Sequence, residues 1–250
     1  MLKNVFITLL LLFLLNFASA QDAITLLNQG KDLNVMYRNQ MSGGLIIHSA
    51  GFGLNYRRGY HVTGFKTRIL ELELVNMNYY KEYKIKDTFH ENSKGYYYGK
   101  LNSLFILRPG IGFQKIIFEK AERKSLEIRF SYYAGISLGL AKPIYMQIRD
   151  PNDNLKFNVE KYDPTKDSLS NIYGPAPFLK GFIETKIYPG AYAKFAISFE
   201  YGDLKNDIKA IETGVIIDAY PKTIPVMAFS KNQPVFVTLY LHLLYGKKWF

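Results

Sequence analysis

The carboxyl-terminal stretch, residues 234–250 (PVFVTLYLHLLYGKKWF), decides the fold of this chain. From Val235 onward the side chains alternate between two faces. One face is apolar or aromatic throughout and holds Val235, Val237, Leu239, Leu241, Leu243 and Tyr245. The other holds Phe236, Thr238, Tyr240, His242, Leu244 and Gly246. A period of two over this length predicts a β-strand, and the unbroken apolar face predicts that one side of it avoids water.

The same stretch ends on an aromatic pair, Trp249 and Phe250. A strand this apolar on one face, followed by a final aromatic residue, resembles the last strand of bacterial outer-membrane β-barrels. The resemblance implies that this strand closes a barrel by pairing with the first one. Its aromatic members would be Tyr240, Tyr245, Trp249 and Phe250.

The composition limits the class of protein. A length of 250 residues fits one barrel domain. Tyr 20 and Phe 18 would supply the aromatic girdles of a membrane barrel, although a soluble β-sandwich with an aromatic core is an alternative. With Cys 0, disulfides, thiolate metal sites and cysteine nucleophiles are excluded. The formal charge is +11, but the basic residues are interspersed with acidic ones, so we expect no nucleic-acid partner.

Residues 1–20 have the parts of a cleaved secretory signal. Lys3 precedes an apolar run over residues 5–15, and Ala18-Ser19-Ala20 forms the small-residue site. A retained membrane anchor is the alternative, but the apolar run is short for a spanning helix. No later stretch has the length of a transmembrane helix, so any membrane crossing must use strands. Residues 21–44 are predicted to be a polar periplasmic lead-in.

The barrel is predicted to occupy residues 45–250. Alternation predicts strands at about 45–57, 65–77, 96–108, 111–119, 126–146, 191–201, 208–219 and 235–250. Pro109-Gly110 is interpreted as the break between two of them. Residues 147–180 are predicted to be a long outer loop, and residues 78–95 a long loop on the periplasmic side. Long periplasmic loops are unusual, so ten strands would be present if 78–95 conceals a strand pair.

Charged positions on otherwise apolar strands predict the interior of the barrel, because a charge facing lipid is costly. The predicted lumen set is Arg57, Glu71, Glu73, Arg108, Glu127, Arg129, Lys194, Glu200, Glu212 and Asp218, with His242 beside them. Side chains fill the interior of an eight-stranded barrel, and buried charges must be paired. We therefore expect a salt-bridged plug. An open polar conduit is the alternative and would need more strands.

A basic group lies near the first predicted outer turn. Its members are Arg57, Arg58, Lys66 and Arg68. Their guanidinium and ammonium groups could hold the phosphates of lipid A in lipopolysaccharide by charge-assisted hydrogen bonds. A solvated rim without a ligand is the competing interpretation.

The histidines give no sign of a catalytic or metal site. His48 is predicted to face lipid, His61 to lie near the first outer turn, His90 to lie in a loop and His242 in the lumen. No spacing joins them to one another or to a serine or carboxylate. We expect no catalytic residue, no metal and no cofactor.

Three stretches carry a resemblance to a family. They are residues 51–77 (GFGLNYRRGYHVTGFKTRILELELVNM), 99–115 (GKLNSLFILRPGIGFQK) and 132–145 (YYAGISLGLAKPIY). These resemble a family of uncharacterised outer-membrane barrel proteins of Bacteroidota. The resemblance covers most of the chain from about Leu45. It implies an all-β, antiparallel transmembrane β-barrel of eight strands in the outer membrane of a Gram-negative envelope, and it brings no catalytic motif.

Function is therefore an expectation drawn from architecture. The leading one is a non-enzymatic scaffold or accessory subunit of an envelope complex, with a secretion complex as one candidate. An envelope protein would bind through residues 147–180 or 78–95, and outer-membrane lipid would surround the barrel. A small-solute pore is the alternative, and an enzyme with its site at the rim is third.

Overall fold

The computed structural model describes residues 37–79, 82–85, 95–119, 126–150, 153–167, 171–201 and 206–250. The predicted signal peptide, most of the predicted lead-in and His90 lie outside the described residues. Within the described part, no helix is long and apolar enough to cross a membrane.

The regular secondary structure of the described residues consists of β-strands. In chain order they are β1 (Asn39–His48), β2 (Gly51–Thr63), β3 (Lys66–Met77), β4 (Lys84–Ile85), β5 (Tyr96–Tyr97), β6 (Asn102–Phe118), β7 (Glu127–Pro143), β8 (Tyr145–Asp150), β9 (Asp153–Lys161), β10 (Ile172–Pro175), β11 (Lys186–Tyr201), β12 (Asp207–Ala219) and β13 (Val235–Trp249). Eight of them close an antiparallel barrel in the order β1-β13-β12-β11-β7-β6-β3-β2. The predicted fold class and strand number are confirmed.

β13 closes the barrel against β1. The register runs from Asn39 opposite Trp249 to His48 opposite Tyr240. Beyond the pair of Asn39 and Trp249, the ring centre of Phe250 lies 5.3 Å from that of Tyr37. We call the end of the barrel that holds the start of β1 and the end of β13 the terminal end, and the opposite end the loop end.

The outer surface of the barrel is apolar. The exposed side chains on it include Leu45, Ile47, Phe52, Leu54, Leu70, Leu72, Leu74, Ile111, Ile136, Phe195, Ile197, Val237, Leu239, Leu241 and Leu243. Exposed aromatics near the terminal end include Tyr60, Phe118, Tyr201, Tyr245 and Trp249. A closed barrel with an apolar exterior and an aromatic girdle is the architecture of an outer-membrane protein, because every ladder hydrogen bond is made inside the sheet.

The first predicted strand is in fact a hairpin. β1 begins at Asn39, within the predicted lead-in, and a two-residue turn at 49–50 separates it from β2. Asn78 N donates to Ala50 O at 2.7 Å and Ser49 N donates to Leu239 O at 2.9 Å, so neighbouring strands hold this turn. The turn reverses the chain and shifts the inward positions from even to odd numbers. For this reason Ile46 and His48 point into the lumen, and the prediction that His48 faces lipid is wrong.

We predicted that Pro109-Gly110 separates two strands, but it lies within a single strand. The pairing of β6 with β7 keeps one register on both sides of it, with Leu107 opposite Leu138 and Gly110 opposite Gly135. The third and fourth predicted strands are therefore the single strand β6. Pro109 costs one ladder hydrogen bond and leaves the strand continuous.

These two corrections put every long connection at the loop end. The barrel strands on either side of 78–101, 144–185 and 220–234 end there, whereas the strands on either side of 64–65, 119–126 and 202–206 end at the terminal end. Outer-membrane barrels have short periplasmic turns and long outer loops. We therefore assign the loop end to the cell exterior. The strands that flank residues 78–95 and those that flank residues 147–180, segments predicted on opposite sides of the membrane, meet at the same end of the barrel.

Glycines on β6 make room for tyrosine rings in the lumen. A Cβ at Gly112 would lie 2.2 Å from Cδ1 of Tyr133 and 2.6 Å from the carbonyl oxygen of Tyr132. We expect Gly112→Val to lower the free energy of unfolding by about 1–3 kcal/mol, the usual cost of overpacking. Urea unfolding in lipid vesicles measures this value. The matched control is Ala134→Val on the exposed face of β7, and equal stability of the two variants would contradict the packing argument.

Candidate functional site

The middle of the lumen holds a cluster of charged side chains, which we call the plug. Its members are Arg57, Glu71, Glu73, Arg108, Lys194, Glu212 and Asp218. All seven belong to the predicted lumen set. They come from β2, β3, β6, β11 and β12, so the cluster exists only once the barrel is closed.

Arg57 joins two carboxylates within the plug. Its Nη1 and Nη2 atoms donate to the two oxygens of Glu212 at 2.8 and 2.7 Å. Its Nε atom donates to Glu71 Oε1 at 2.8 Å. The guanidinium carbon also lies 4.9 Å from the centre of the Tyr133 ring. Tyr240 completes the set, since its hydroxyl donates to Glu212 at 2.7 Å. A bidentate pair of this kind is the strongest common ion-pair geometry.

Lys194 joins the two glutamates of β3. Its Nζ atom lies 2.8 Å from Glu71 Oε1 and also donates to Glu73 Oε1. The ammonium group is 5.0 and 4.8 Å from the ring centres of Tyr133 and Tyr240. The lysine is thus compensated by carboxylates and aromatic faces together.

Arg108 holds the loop-side part of the plug. It donates to both oxygens of Asp218, at 2.9 and 2.7 Å, and its Nη1 atom is 3.4 Å from Glu73. Ser137 Oγ donates to Asp218 at 2.7 Å and lies 2.6 Å from the hydroxyl of Tyr220. The network therefore continues toward the segment that covers the mouth of the barrel.

The plug leaves no space for a solute. The exposure of Glu73, Arg108, Lys194, Glu212, Asp218 and His242 is 0%. Water therefore does not reach these side chains, and the lumen is closed at the level of the plug. Each charged group of the plug has at least one partner of opposite charge, which is what permits charges to be buried.

A second charged group lies inside the barrel nearer the terminal end. Arg129 binds Glu127, and its Nη2 atom is 2.7 Å from Glu200. Lys248 binds the same Glu200 at 2.6 Å. Between this group and the plug lies a cavity of about 10 Å³, with Gln114 among the residues that line it. That is room for roughly one water molecule.

Lys248 is an interior residue that the sequence analysis missed. The alternation that begins at Val235 places it on the same face as His242, but the predicted faces extend only to Gly246. Following the alternation to the end of β13 would have found it.

The described histidines lie apart from one another in the barrel. His48 is buried under the first hairpin, where its Nδ1 atom is 3.3 Å from Ala50 N. His61 lies near the terminal end, not at the predicted outer turn, and is 3.0 Å from Thr67 Oγ1. His242 Nδ1 lies 3.8 Å from Glu212 Oε1, and both side chains are fully buried. No metal-binding group of three His, Asp or Glu side chains occurs among the residues described.

The predicted basic rim is divided by the structure. Arg57 belongs to the plug, and Arg58, Lys66 and Arg68 are exposed near the terminal end. The prediction that all four lie at the outer rim is wrong, because the turn at 49–50 reverses the direction of the strands that carry them. Lys66 lies directly opposite Lys115 on β6, which extends the basic group along the terminal end.

Residues 220–234 cover the mouth at the loop end, and we call this segment the cap. Ile224, Val226 and Met227 are buried in it against the upper lumen. Backbone bonds tie it to the start of β6: Leu101 N donates to Val226 O at 2.9 Å, and Ala228 N donates to Gly99 O at 2.7 Å. The cap therefore covers part of the mouth outside the charged plug, and a cavity of about 300 Å³ lies beside it, lined by Met77, Leu104, Val226 and Thr238 among others.

The segment predicted as a loop at 147–180 contains regular structure. β8 pairs with both β9 and β10 to form a three-stranded sheet, which we call the outer sheet. A small core joins it to β5 and consists of Tyr96, Met146, Tyr162 and Ile172. Burial raises the pKa of Tyr162 to about 12. The hydroxyl of Tyr162 accepts from Gly99 N at 3.2 Å, which joins the outer sheet to the chain beneath the cap.

The fold and the filled lumen define an eight-stranded outer-membrane β-barrel with a closed interior and structured outer segments. No protein-family model and no curated protein matches the chain. The attachment invasion locus protein Ail of Yersinia pestis is similar in fold at 8% identity and a TM-score of 0.42, over 86% of this chain and 100% of Ail.

Two other solved barrels are similar at the same level. Neisserial surface protein A has 11% identity and a TM-score of 0.39, over 85% of this chain and 97% of its own. The outer membrane protein OprG of Pseudomonas aeruginosa has 9% identity and a TM-score of 0.33, over 85% and 93%. Likeness this distant carries no functional argument, so function has to come from the residues of this chain.

Proposed function

We propose that this protein is a non-enzymatic outer-membrane scaffold, in which a sealed barrel anchors the outer sheet and a protein of the cell envelope binds that sheet. The observation that carries the proposal is the contrast between the two regions. The lumen is filled by the plug and partly covered by the cap, while β8, β9 and β10 form an ordered sheet separate from the eight barrel strands, with Met146 and Ile172 buried in it. A closed barrel acts through its outer surface.

β9 offers the simplest site for a partner. It is the edge of the outer sheet next to β8, with Tyr145 opposite Lys161 and Arg149 opposite Phe157. The side chains of Asn158, Val159 and Glu160 are exposed. An edge strand can accept a strand from another chain, and charged side chains on it oppose unspecific pairing. A partner that adds a strand to β9 fits both properties.

The two other functions have less support. A pore would need a continuous water path, which the plug and the cap interrupt. An enzyme would need its histidine and carboxylate open to a substrate, whereas His242 and Glu212 are buried together. Membership of the Bacteroidota family and a place in a secretion complex are further proposals, which rest on the sequence resemblance at residues 51–77, 99–115 and 132–145.

Site-specific photo-cross-linking in native outer membrane tests the proposal. A photoreactive amino acid at Val159 should give one cross-linked species of defined mass. The same group at Leu72, on the lipid-facing side of β3, should give none. Replacing residues 147–174 with a short glycine-serine linker should abolish co-purification of that species while the barrel stays folded.

One result would contradict the scaffold proposal, and another would contradict the binding site that it assigns. If the barrel purifies alone and gives no cross-link from Val159, the scaffold proposal is wrong. A partner that stays bound after residues 147–174 are replaced would place its site elsewhere on the molecule. Resistance of the barrel to unfolding by detergent at room temperature is the check that each variant is assembled.

A further inference from the structure

A short ordered segment projects from the barrel between β10 and β11. It comprises residues 176–185, and we call it the foot. Backbone hydrogen bonds of 3.0, 3.3 and 3.2 Å close successive turns from Lys180 to Pro177, from Phe182 to Leu179 and from Glu184 to Gly181. Gly181 has a φ of +81°, and a Cβ there would lie 2.8 Å from the Tyr145 ring. The foot thus has a defined shape that requires a glycine.

The foot is attached to the outside of the barrel. Lys142 Nζ donates to Phe178 O at 2.6 Å and lies 4.4 Å from the centre of the Phe178 ring. That ring packs edge-on against Phe105 at 6.3 Å. At its far end, the hydroxyl of Tyr145 donates to Glu184, and this hydrogen bond raises the pKa of Tyr145. These contacts fix the side of the barrel that the foot covers.

The exposed face of the foot is apolar. Ile183 has a relative exposure of 102%, Leu179 of 77%, and Phe182 is also exposed. Large apolar side chains held outward on an ordered segment mark a contact surface. What they contact is indicated by their neighbours on the barrel.

The foot continues the lipid-facing surface. Phe105 lies opposite Leu140 in the sheet, and Leu140 lies opposite Ile187. All three point away from the lumen, and Ile187 is exposed. Because Phe178 packs on Phe105, the apolar face of the foot adjoins this row, beside the ammonium group of Lys142.

We propose that the foot is a membrane-inserting element, which places Leu179, Phe182 and Ile183 among the acyl chains of the leaflet on the loop side. Lys180 is exposed between them, and its long side chain can carry its ammonium group to the level of the headgroup phosphates. The foot therefore adds a lipid contact beside the barrel and limits how far the outer sheet can tilt from the membrane.

The single tryptophan of the chain allows a direct test. In a Trp249→Phe background, Ile183→Trp and, separately, Leu179→Trp place the only fluorophore on the foot. The full chain is reconstituted in phosphatidylcholine vesicles, with or without brominated acyl chains, and iodide is added to the water phase. Leu72→Trp on the lipid-facing surface of β3 and Lys166→Trp on an exposed turn are the two references.

The foot tryptophans should resemble the Leu72→Trp reference. They should emit at shorter wavelength, be quenched by the brominated chains and be shielded from iodide. Two probe positions guard against a local failure to fold at either one. Quenching closer to that of the Lys166→Trp reference, at both foot positions, would overturn the proposal.

Discussion

Lys194→Met should lower the free energy of unfolding by about 3–5 kcal/mol, the usual consequence of removing one partner from a buried ion network. Lys194 is fully buried and binds Glu71 and Glu73. The plug formally holds four carboxylates and three cations, so the variant loses one of the three positive charges. Urea unfolding in lipid vesicles measures the change.

Two controls separate the charge from the volume of the side chain. Adding Glu73→Gln to Lys194→Met removes one of the uncompensated charges and should recover part of the stability. Lys166→Met removes an exposed lysine that lies 4.0 Å from Asp163, and such a surface pair contributes about 1 kcal/mol or less. If Lys194→Met and Lys166→Met had the same free energy of unfolding, the buried ion network would not stabilise the barrel as described.

Asn232→Ala should release the cap. The Oδ1 atom of Asn232 accepts from Val226 N and Met227 N at 3.0 Å each, and its Nδ2 atom donates to Met227 O at 2.9 Å. Each hydrogen bond contributes about 1 kcal/mol, so the free energy of opening the cap should fall by about 3 kcal/mol. That is roughly a hundredfold increase in the open population.

Hydrogen exchange measures this opening at amides that do not bind Asn232. The amides of Leu101 and Ala228 report on it, because they donate to Val226 O and Gly99 O. Asn102→Ala is the matched control, since the side chain of Asn102 makes a single bond to Pro225 O at 2.6 Å. If hydrogen exchange were equally fast in the two variants, the side chain of Asn232 would not be what holds the cap closed.

Alternation in the sequence predicted the fold class and most of the inward positions. In β7, β11, β12 and β13 the pattern is long and uninterrupted, so the inward faces of these strands follow from a period of two. Glu71 and Glu73 could be placed inside for an energetic reason, because lipid does not accept carboxylates.

The prediction is wrong at two positions because the residues there do not show whether a turn forms. The turn at 49–50 has no Asn-Gly or Asp-Gly signal, and contacts with Leu239 and Asn78 hold it instead. Pro109-Gly110 carries a strong turn signal but lies within β6. The two errors cancelled in the strand count, yet together they put residues 78–95 and 147–180 on opposite predicted sides, although the strands that flank them meet at the same end of the barrel.

The partners within the plug could not be predicted. Arg57 and Glu212 are 155 positions apart in the chain, and the stagger of the closed barrel brings them together. The outer sheet was missed for another reason, because its strands are short and polar and a small buried core stabilises them. Neither pairing leaves a periodic signal in one sequence.

The central claim, that the barrel is closed and acts through its outer surface, is tested most directly by electrical conductance. The purified full-length protein is inserted into planar lipid bilayers and the current is recorded under applied voltage. We predict no unitary current, and none for Asn232→Ala either, because the plug fills the lumen beneath an open cap. A stable unitary current from the unaltered protein would contradict the account and establish a pore.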